Sequence, residues 1–151
     1  MPSESIAIGC DHAGLDLKRA LAEDLRARGL DVLDLGTEGP ESVDYPDFAQ
    51  AVARAVRDRK ADRGVLICGT GIGMSMAANR FPEVRAAVVH DRTSARLARQ
   101  HNDANVLCLG GRLLGIEVAR DCLAAFLDTP FEGGRHERRV AKLSRSVTTR
   151  A

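Results

Sequence analysis

At 151 residues, 44% of them hydrophobic and 28% charged, the chain has the length of one domain and can bury a core without disulfides. No apolar stretch approaches the roughly 20 residues a membrane helix needs, and a formal net charge of +1 with 3% aromatic residues argues against a nucleic-acid or membrane partner. Met1 to Ser5 lack the basic start and apolar segment of a signal peptide, so a cytoplasmic setting is expected, with Cys10, Cys68, Cys108 and Cys122 as free thiols. The cysteines also lack the close paired spacing of a zinc site, and Cys108 and Cys122 are expected in the core.

Taken in order, apolar runs alternate with amphipathic segments, and Gly, Pro or Asp marks each change of period. Ile6 to Cys10 reads as a first strand. Leu15, Leu17, Leu21 and Leu25 recur at helical spacing among Lys18, Arg19, Glu23 and Asp24, predicting an amphipathic helix closed by Gly29. A second strand is expected from Asp31 to Leu35, then a turn-rich loop from Gly36 to Tyr45. Pro46, suited to a first helical turn, opens a helix running to about Arg57. Arg63 to Ile67 is strand three, and Met74 to Asn79 is helix-compatible. Arg85 to Val89 reads as strand four, Thr93 to about His101 as a helix, Val106 to Leu109 as strand five, and Leu114 to Leu127 as a helix. Beyond the breaks at Thr129-Pro130 and Gly133-Gly134, a last helix is predicted from about Arg135 to Arg145. Ser144, Ser146, Thr148 and Thr149 mark a tail expected to fray.

This alternation implies one domain over residues 1–151: a five-stranded parallel sheet covered on both faces, a three-layer Rossmann-like (flavodoxin-like) α/β arrangement with an extra C-terminal helix. The core is expected over about residues 5–128 and the helical arm over about 134–146.

In such sheets ligands bind beyond the carboxyl ends of the strands, where the strand order reverses. Strand one ends in Cys10-Asp11-His12, strand three in Cys68-Gly69-Thr70-Gly71, strand four in His90-Asp91 and strand five in Gly110-Gly111-Arg112. The run from Val65 to Gly73 is the most informative of these, because a buried strand ends in a cysteine and alternating glycines, with a helix directly after. Free backbone N–H groups and a helix N-terminus beside a solvent-reachable thiol bind anions and favour a thiolate. A dinucleotide fingerprint fails, since its third glycine would stand where Met74 is, and no Lys-Ser/Thr pair follows for a nucleotide phosphate loop. A tight turn without any ligand remains the competing reading of the loop alone.

Asp11-His12 is open to two readings: a helix cap with a surface histidine, or part of a site facing Cys68 across the switch point. Arg135 and Arg139, at i and i+4 on a helix, present two guanidinium forks on one face, which suits a phosphate. The alternative is a solvated basic face shared with Arg138, Lys142 and Arg145. His101 closes the helix after strand four. That helix leaves the carboxyl edge and runs back about nine residues at about 1.5 Å each, which delivers His101 to the opposite edge, out of reach of Cys68 in the same chain. His101 is therefore either a terminal histidine meeting the helix dipole or, if catalytic, a group that serves another subunit.

Six stretches carry a family resemblance: G-C-D-H-A-G at Gly9 to Gly14, D-Y-P-D at Asp44 to Asp47, I-C-G-T-G-I-G at Ile67 to Gly73, A-A-N-R at Ala77 to Arg80, R-Q-H-N-D-A-N-V-L at Arg99 to Leu107, and E-G-G-R-H at Glu132 to His136. Together, over Ile6 to about Lys142, they closely resemble the ribose-5-phosphate isomerase B family. The wider family includes galactose-6-phosphate isomerase subunits. The resemblance implies an aldose-ketose isomerase that converts D-ribose 5-phosphate and D-ribulose 5-phosphate through an enediolate, with no cofactor and no metal. It also implies a homodimer or tetramer with its sugar-phosphate site at the subunit interface.

Residue by residue, the resemblance implies that Cys68 is the base, with Thr70 beside it, and that Gly69, Thr70, Gly71, Ile72 and Gly73 supply N–H groups to the enediolate oxygen. His101 would open the furanose ring as an acid, and Asp11 would hold sugar hydroxyls. His12, Arg112, Arg135 and Arg139 become phosphate contacts, Asn102 a sugar or enediolate contact, and Tyr45 part of the pocket wall. One branch of the family uses a glutamate in place of the cysteine, where this chain has Met74. Met74 cannot titrate, which leaves Cys68 as the candidate base in the loop. Two alternatives stand beside this reading. One is a six-carbon substrate such as allose or galactose 6-phosphate, with the Gly36 to Tyr45 loop enlarging the pocket. The other is a non-catalytic sugar-phosphate or nucleotide binding module, since fold does not fix function.

Overall fold

The apolar runs form strands because alternate side chains can be buried against helices on either side of the sheet. A computed structural model describes residues 3–145, so the tail residues Ser146, Thr148 and Thr149 lie outside the described residues. The elements follow as β1 (Ser5–Cys10), a 3-10 turn (His12–Gly14), α1 (Leu15–Ala27), β2 (Asp31–Asp34), α2 (Tyr45–Arg57), β3 (Arg63–Cys68) and α3 (Ile72–Ala78). The second part of the chain adds β4 (Ala86–Val88), α4 (Arg92–Asn102), β5 (Val106–Gly110), α5 (Ile116–Asp128) and α6 (Arg135–Leu143). All strand pairs are parallel, in the order β2-β1-β3-β5-β4.

The period-2 alternation sorts the core into two layers. Ile6, Ile8, Val65, Ile67, Leu107 and Leu109 point to the side covered by α1, α4 and α5. Ala7, Leu66, Cys68, Val106 and Cys108 point to the side covered by α2 and α3. Small residues on the second face let α2 approach closely: a β-carbon on Gly9 or Gly64 would meet Val52 at 2.8 or 2.6 Å. Connections that step one way across the sheet carry α1 and α4 on one face, and those that step the other way carry α2 and α3 on the opposite face, as a single crossover hand requires.

Boundaries differ from the sequence reading where local hydrogen bonds decide them. α4 begins at Arg92 because the Asp91 carboxylate accepts from the Ser94 N–H at 2.6 Å. α5 begins two residues late, after the N–H groups of Leu113 and Leu114 turn back onto the Gly110 carbonyl. Gly29 closes α1 at φ 81° as expected. At the amino edge of the sheet, Arg63 donates to both Glu4 oxygens and to the carbonyls of Phe126 and Leu127, tying the end of α5 to the start of β3. Among the described residues no helix is long and apolar enough to cross a membrane.

Candidate active site

The chain leaves β1 toward β2 on one side and leaves β3 toward β4 on the other, so a crevice opens between the carboxyl ends of β1 and β3. Cys68, the last residue of β3, forms its floor. The sequence places this thiol within solvent reach, but it is only 5% exposed. The loop itself explains the difference. Gly71 turns at φ 81° and folds its N–H back onto the Cys68 Sγ at 3.2 Å. A side chain at position 71 would need a left-handed backbone, and its β-carbon would meet the Leu109 carbonyl carbon at 2.9 Å. From the other side, the N–H of Gly111 donates to the Cys68 carbonyl at 2.8 Å and that of Arg112 to the Gly69 carbonyl at 3.0 Å. Residues after β5 thus clamp the loop after β3.

Above Cys68 lies an open cavity of about 430 Å³ lined by Asp11, Tyr45, Gly69, Thr70, Ile72, Gly73 and Met76. Asp11 is a cap, its Oδ1 accepting from the Ala13 N–H at 3.0 Å, and its buried side chain also lines the cavity. His12 accepts from the Val43 N–H at its Nδ1 (3.2 Å), which leaves Nε2 as the ring's donor. Arg112 lies across Gly69, with Cδ and Nη1 each 3.5 Å from where a β-carbon on that glycine would be. Thr70 Oγ1 accepts from the Ile72 N–H at 3.2 Å.

Tyr45, at the start of α2, packs its ring directly on Gly73 in the first turn of α3. A β-carbon there would meet Tyr45 Cε1 and Cζ at 2.5 Å. Gly73→Ala is therefore expected to destabilise the protein by about 1–3 kcal/mol through overpacking. In a Tyr45→Ala background the loss disappears, a coupling read from denaturant unfolding of the two single variants and the double variant.

His101 and its neighbours sit elsewhere. β3 and β5 are in register from Gly64–Val106 to Cys68–Gly110, a span of about 13 Å along the strands. α4 returns along that length and delivers His101 to the edge where β5 begins. There His101, Asn102, His136, Arg139, Val140 and Leu143 line a second cavity of about 270 Å³. The rings of His101 and His136 stack with centroids 4.6 Å apart and planes at 16°. Glu132 Oε1 lies 3.9 Å from His101 Nε2 and 3.8 Å from His136 Nε2. The arm before α6 is fastened to α4 by Arg99 Nε on the Thr129 carbonyl and by the Glu132 N–H on the Gln100 carbonyl, each 3.1 Å. Burial, then the charges of His101 and Arg135, push the His136 pKa below its ordinary value.

Within one chain, then, Asp11, His12, Tyr45, Cys68, Gly69, Thr70, Gly71, Ile72, Gly73 and Arg112 gather at the carboxyl edge. His101, Asn102 and Arg139 gather at the amino edge, with Arg135 exposed one helical turn before Arg139. Sequence reasoning missed His136 and Glu132. Their spacing of four at a helix start was visible, but His101, which gives the pair meaning, lies 31 residues before Glu132.

The remaining thiols are fully buried. Desolvation pushes Cys10 and Cys122 each up to about 11 and Cys108 higher still. Brief treatment with iodoacetamide at neutral pH is expected to label Cys68 alone, checked by peptide mass spectrometry. Equal labelling of Cys10 would contradict this assignment.

Known proteins are similar to this chain over most of its length. Ribose-5-phosphate isomerase B of Escherichia coli K12 is 48% identical over 141 residues, covering 93% of this chain and 95% of its own. D-erythrulose-4-phosphate isomerase of Pectobacterium atrosepticum is 45% identical over 140 residues, covering 92% of each. The solved structure of ribose-5-phosphate isomerase B from Clostridium thermocellum superposes with a TM-score of 0.92 at 51% identity, over 93% of this chain and 95% of that one. Residues 6–143, both cavities included, match the family described as Ribose/Galactose Isomerase, and the chain belongs to that family of sugar-phosphate isomerases.

Proposed function

We propose that the chain interconverts D-ribose 5-phosphate and D-ribulose 5-phosphate in a site assembled from two subunits of a homodimer. The observation that carries this reading is the separation just described: Cys68 lies on the floor of one cavity, and the stacked His101 lies at the far edge of the same sheet. Each cavity holds half of what the reaction needs, so a second copy that brings its amino edge against this carboxyl edge completes the set.

In the proposed mechanism the partner subunit's His101 protonates the ring oxygen as its bond to C1 breaks, the O1 hydroxyl proton leaves to solvent, and the open-chain aldose is released. The Cys68 thiolate then takes the proton from C2, and the electron pair passes to O1, giving an enediolate. Returning that proton to C1, with the hydroxyl hydrogen passing from O2 to O1, yields the ketose. A proton next to a carbonyl is weakly acidic, so the developing oxygen needs fixed donors. The Gly71 and Ile72 N–H groups are engaged within the loop, so this role falls to the N–H groups of Gly69, Thr70 and Gly73 and to the Thr70 hydroxyl. His12 Nε2 and Arg112, joined by the partner subunit's Arg135 and Arg139, hold the phosphate, and that remote binding energy fixes the scarce open-chain form. Asp11 and the partner subunit's Asn102 hold the sugar hydroxyls, and Tyr45 walls the pocket.

The D-erythrulose-4-phosphate isomerase of P. atrosepticum is nearly as similar as the E. coli enzyme, so overall identity does not select a chain length. Measuring kcat/KM across four-, five- and six-carbon aldose phosphates decides the substrate. The five-carbon pair is expected to rank first. A higher value for another length overturns the substrate, and binding without turnover overturns the enzymatic reading.

A further inference from the structure

We propose that His101, Glu132 and His136 form a binding site for a divalent transition-metal ion of the zinc class, and that an ion there inhibits the enzyme by occupying His101. The inhibitory half rests on the acid role proposed above for His101; the binding half does not.

The three groups offer ligand atoms that all lie within 4.8 Å of one another. Both Nε2 atoms face the same carboxylate oxygen, at 3.9 and 3.8 Å, too far for a hydrogen bond from either ring. A carboxylate oxygen and two imidazole nitrogens are thus held close together without hydrogen-bonding one another. A cation between them supplies what each lacks. In a tetrahedral site with bonds of about 2.0–2.2 Å, ligand atoms stand about 3.3 Å apart. Closing to that distance takes a rotation of the Glu132 side chain and a turn of the half-exposed His101 ring out of its stack on His136, because an imidazole binds a metal in its own plane and stacked rings do not aim at one point. The rest of the set is already fixed: His136 is buried, and the Glu132 backbone is bonded to Gln100.

The donor types choose the ion. Two imidazoles and one carboxylate suit zinc, copper or nickel, whereas magnesium and calcium prefer oxygen ligands throughout. Three protein ligands also leave a fourth position open. A metal on the His101 Nε2 removes the lone pair and the proton site that ring opening uses, so occupancy and turnover exclude each other.

Direct binding is the first test. Zn²⁺ titrated against chelator-washed enzyme, in competition with a chromophoric chelator, is expected to fill one site per subunit. Glu132→Ala and His136→Asn should each weaken that site at least tenfold. Cys68→Ala should retain it, and the Co²⁺-loaded protein should lack a thiolate-to-metal charge-transfer band. Zn²⁺ binding that survives both substitutions, or that is lost with Cys68→Ala, overturns the site. For the second half, Zn²⁺ is expected to inhibit the wild type reversibly to EDTA, while Glu132→Gln resists at least tenfold more Zn²⁺. Site-specific binding without inhibition overturns the masking of His101. Failure of either half leaves the substrate ranking unchanged, so it is distinguishable from failure of the isomerase reading.

Discussion

Cys68→Ala is expected to lower kcat by between about 10²- and 10⁴-fold, the contribution of a positioned general base. The fold should survive, because the change removes one atom and leaves the Gly71 N–H without its sulfur acceptor, a penalty of about 1–3 kcal/mol. Cys68→Ser separates the two effects. Its hydroxyl can still accept from Gly71 and preserve the loop, yet it is a far weaker base, so stability should recover while activity does not. Solvent deuterium incorporation into the sugar gives an independent readout of proton transfer and should vanish in both variants. Turnover within threefold of wild type in either one removes Cys68 from the reaction.

Mixing two inactive proteins is expected to restore activity. If each site takes Cys68 from one subunit and His101 from the other, a hybrid of Cys68→Ala and His101→Ala subunits has one site with both groups intact and one with neither. Random reassortment of equal amounts makes half of the dimers hybrid, each with half of its sites working, so about a quarter of wild-type activity should return in a symmetric dimer. The geometry behind this is the length of the sheet between Cys68 and His101, which no side-chain rotation closes. No recovery in hybrids verified by native mass spectrometry would sink the shared site.

Much of this was legible in the sequence because short-range physics governs it. The alternation of strand and helix is written in hydrophobic period. The position of His101 opposite Cys68 follows from helix length alone, and the glycines after Cys68 announce a turn that other residues cannot make. Other features depend on distant partners. Nothing near Val106 says that its strand inserts between β3 and β4, since that order is settled by which faces the helices cover. The burial of Cys68 was unreadable because the fold-back of Gly71 onto its sulfur works together with Gly111 and Arg112, some forty residues later, which hold the loop from the other side. Asp11 looked like a choice between cap and site, when its two carboxylate oxygens allow both.

The strand order also bears on how the molecule is made. β5 lies between β3 and β4 and is buried along its whole length, so β4 has no neighbour to pair with until residues 106–110 exist. A chain growing from its amino end can form β2, β1 and β3 early, but it must keep β4 waiting and the far side of β3 bare. The loop that carries Cys68 is not clamped until Gly111 and Arg112 have emerged. Synthesis therefore fixes the Cys68 loop only when about three quarters of the chain is present, and the thiol, nearly covered in the folded protein, is uncovered throughout the wait.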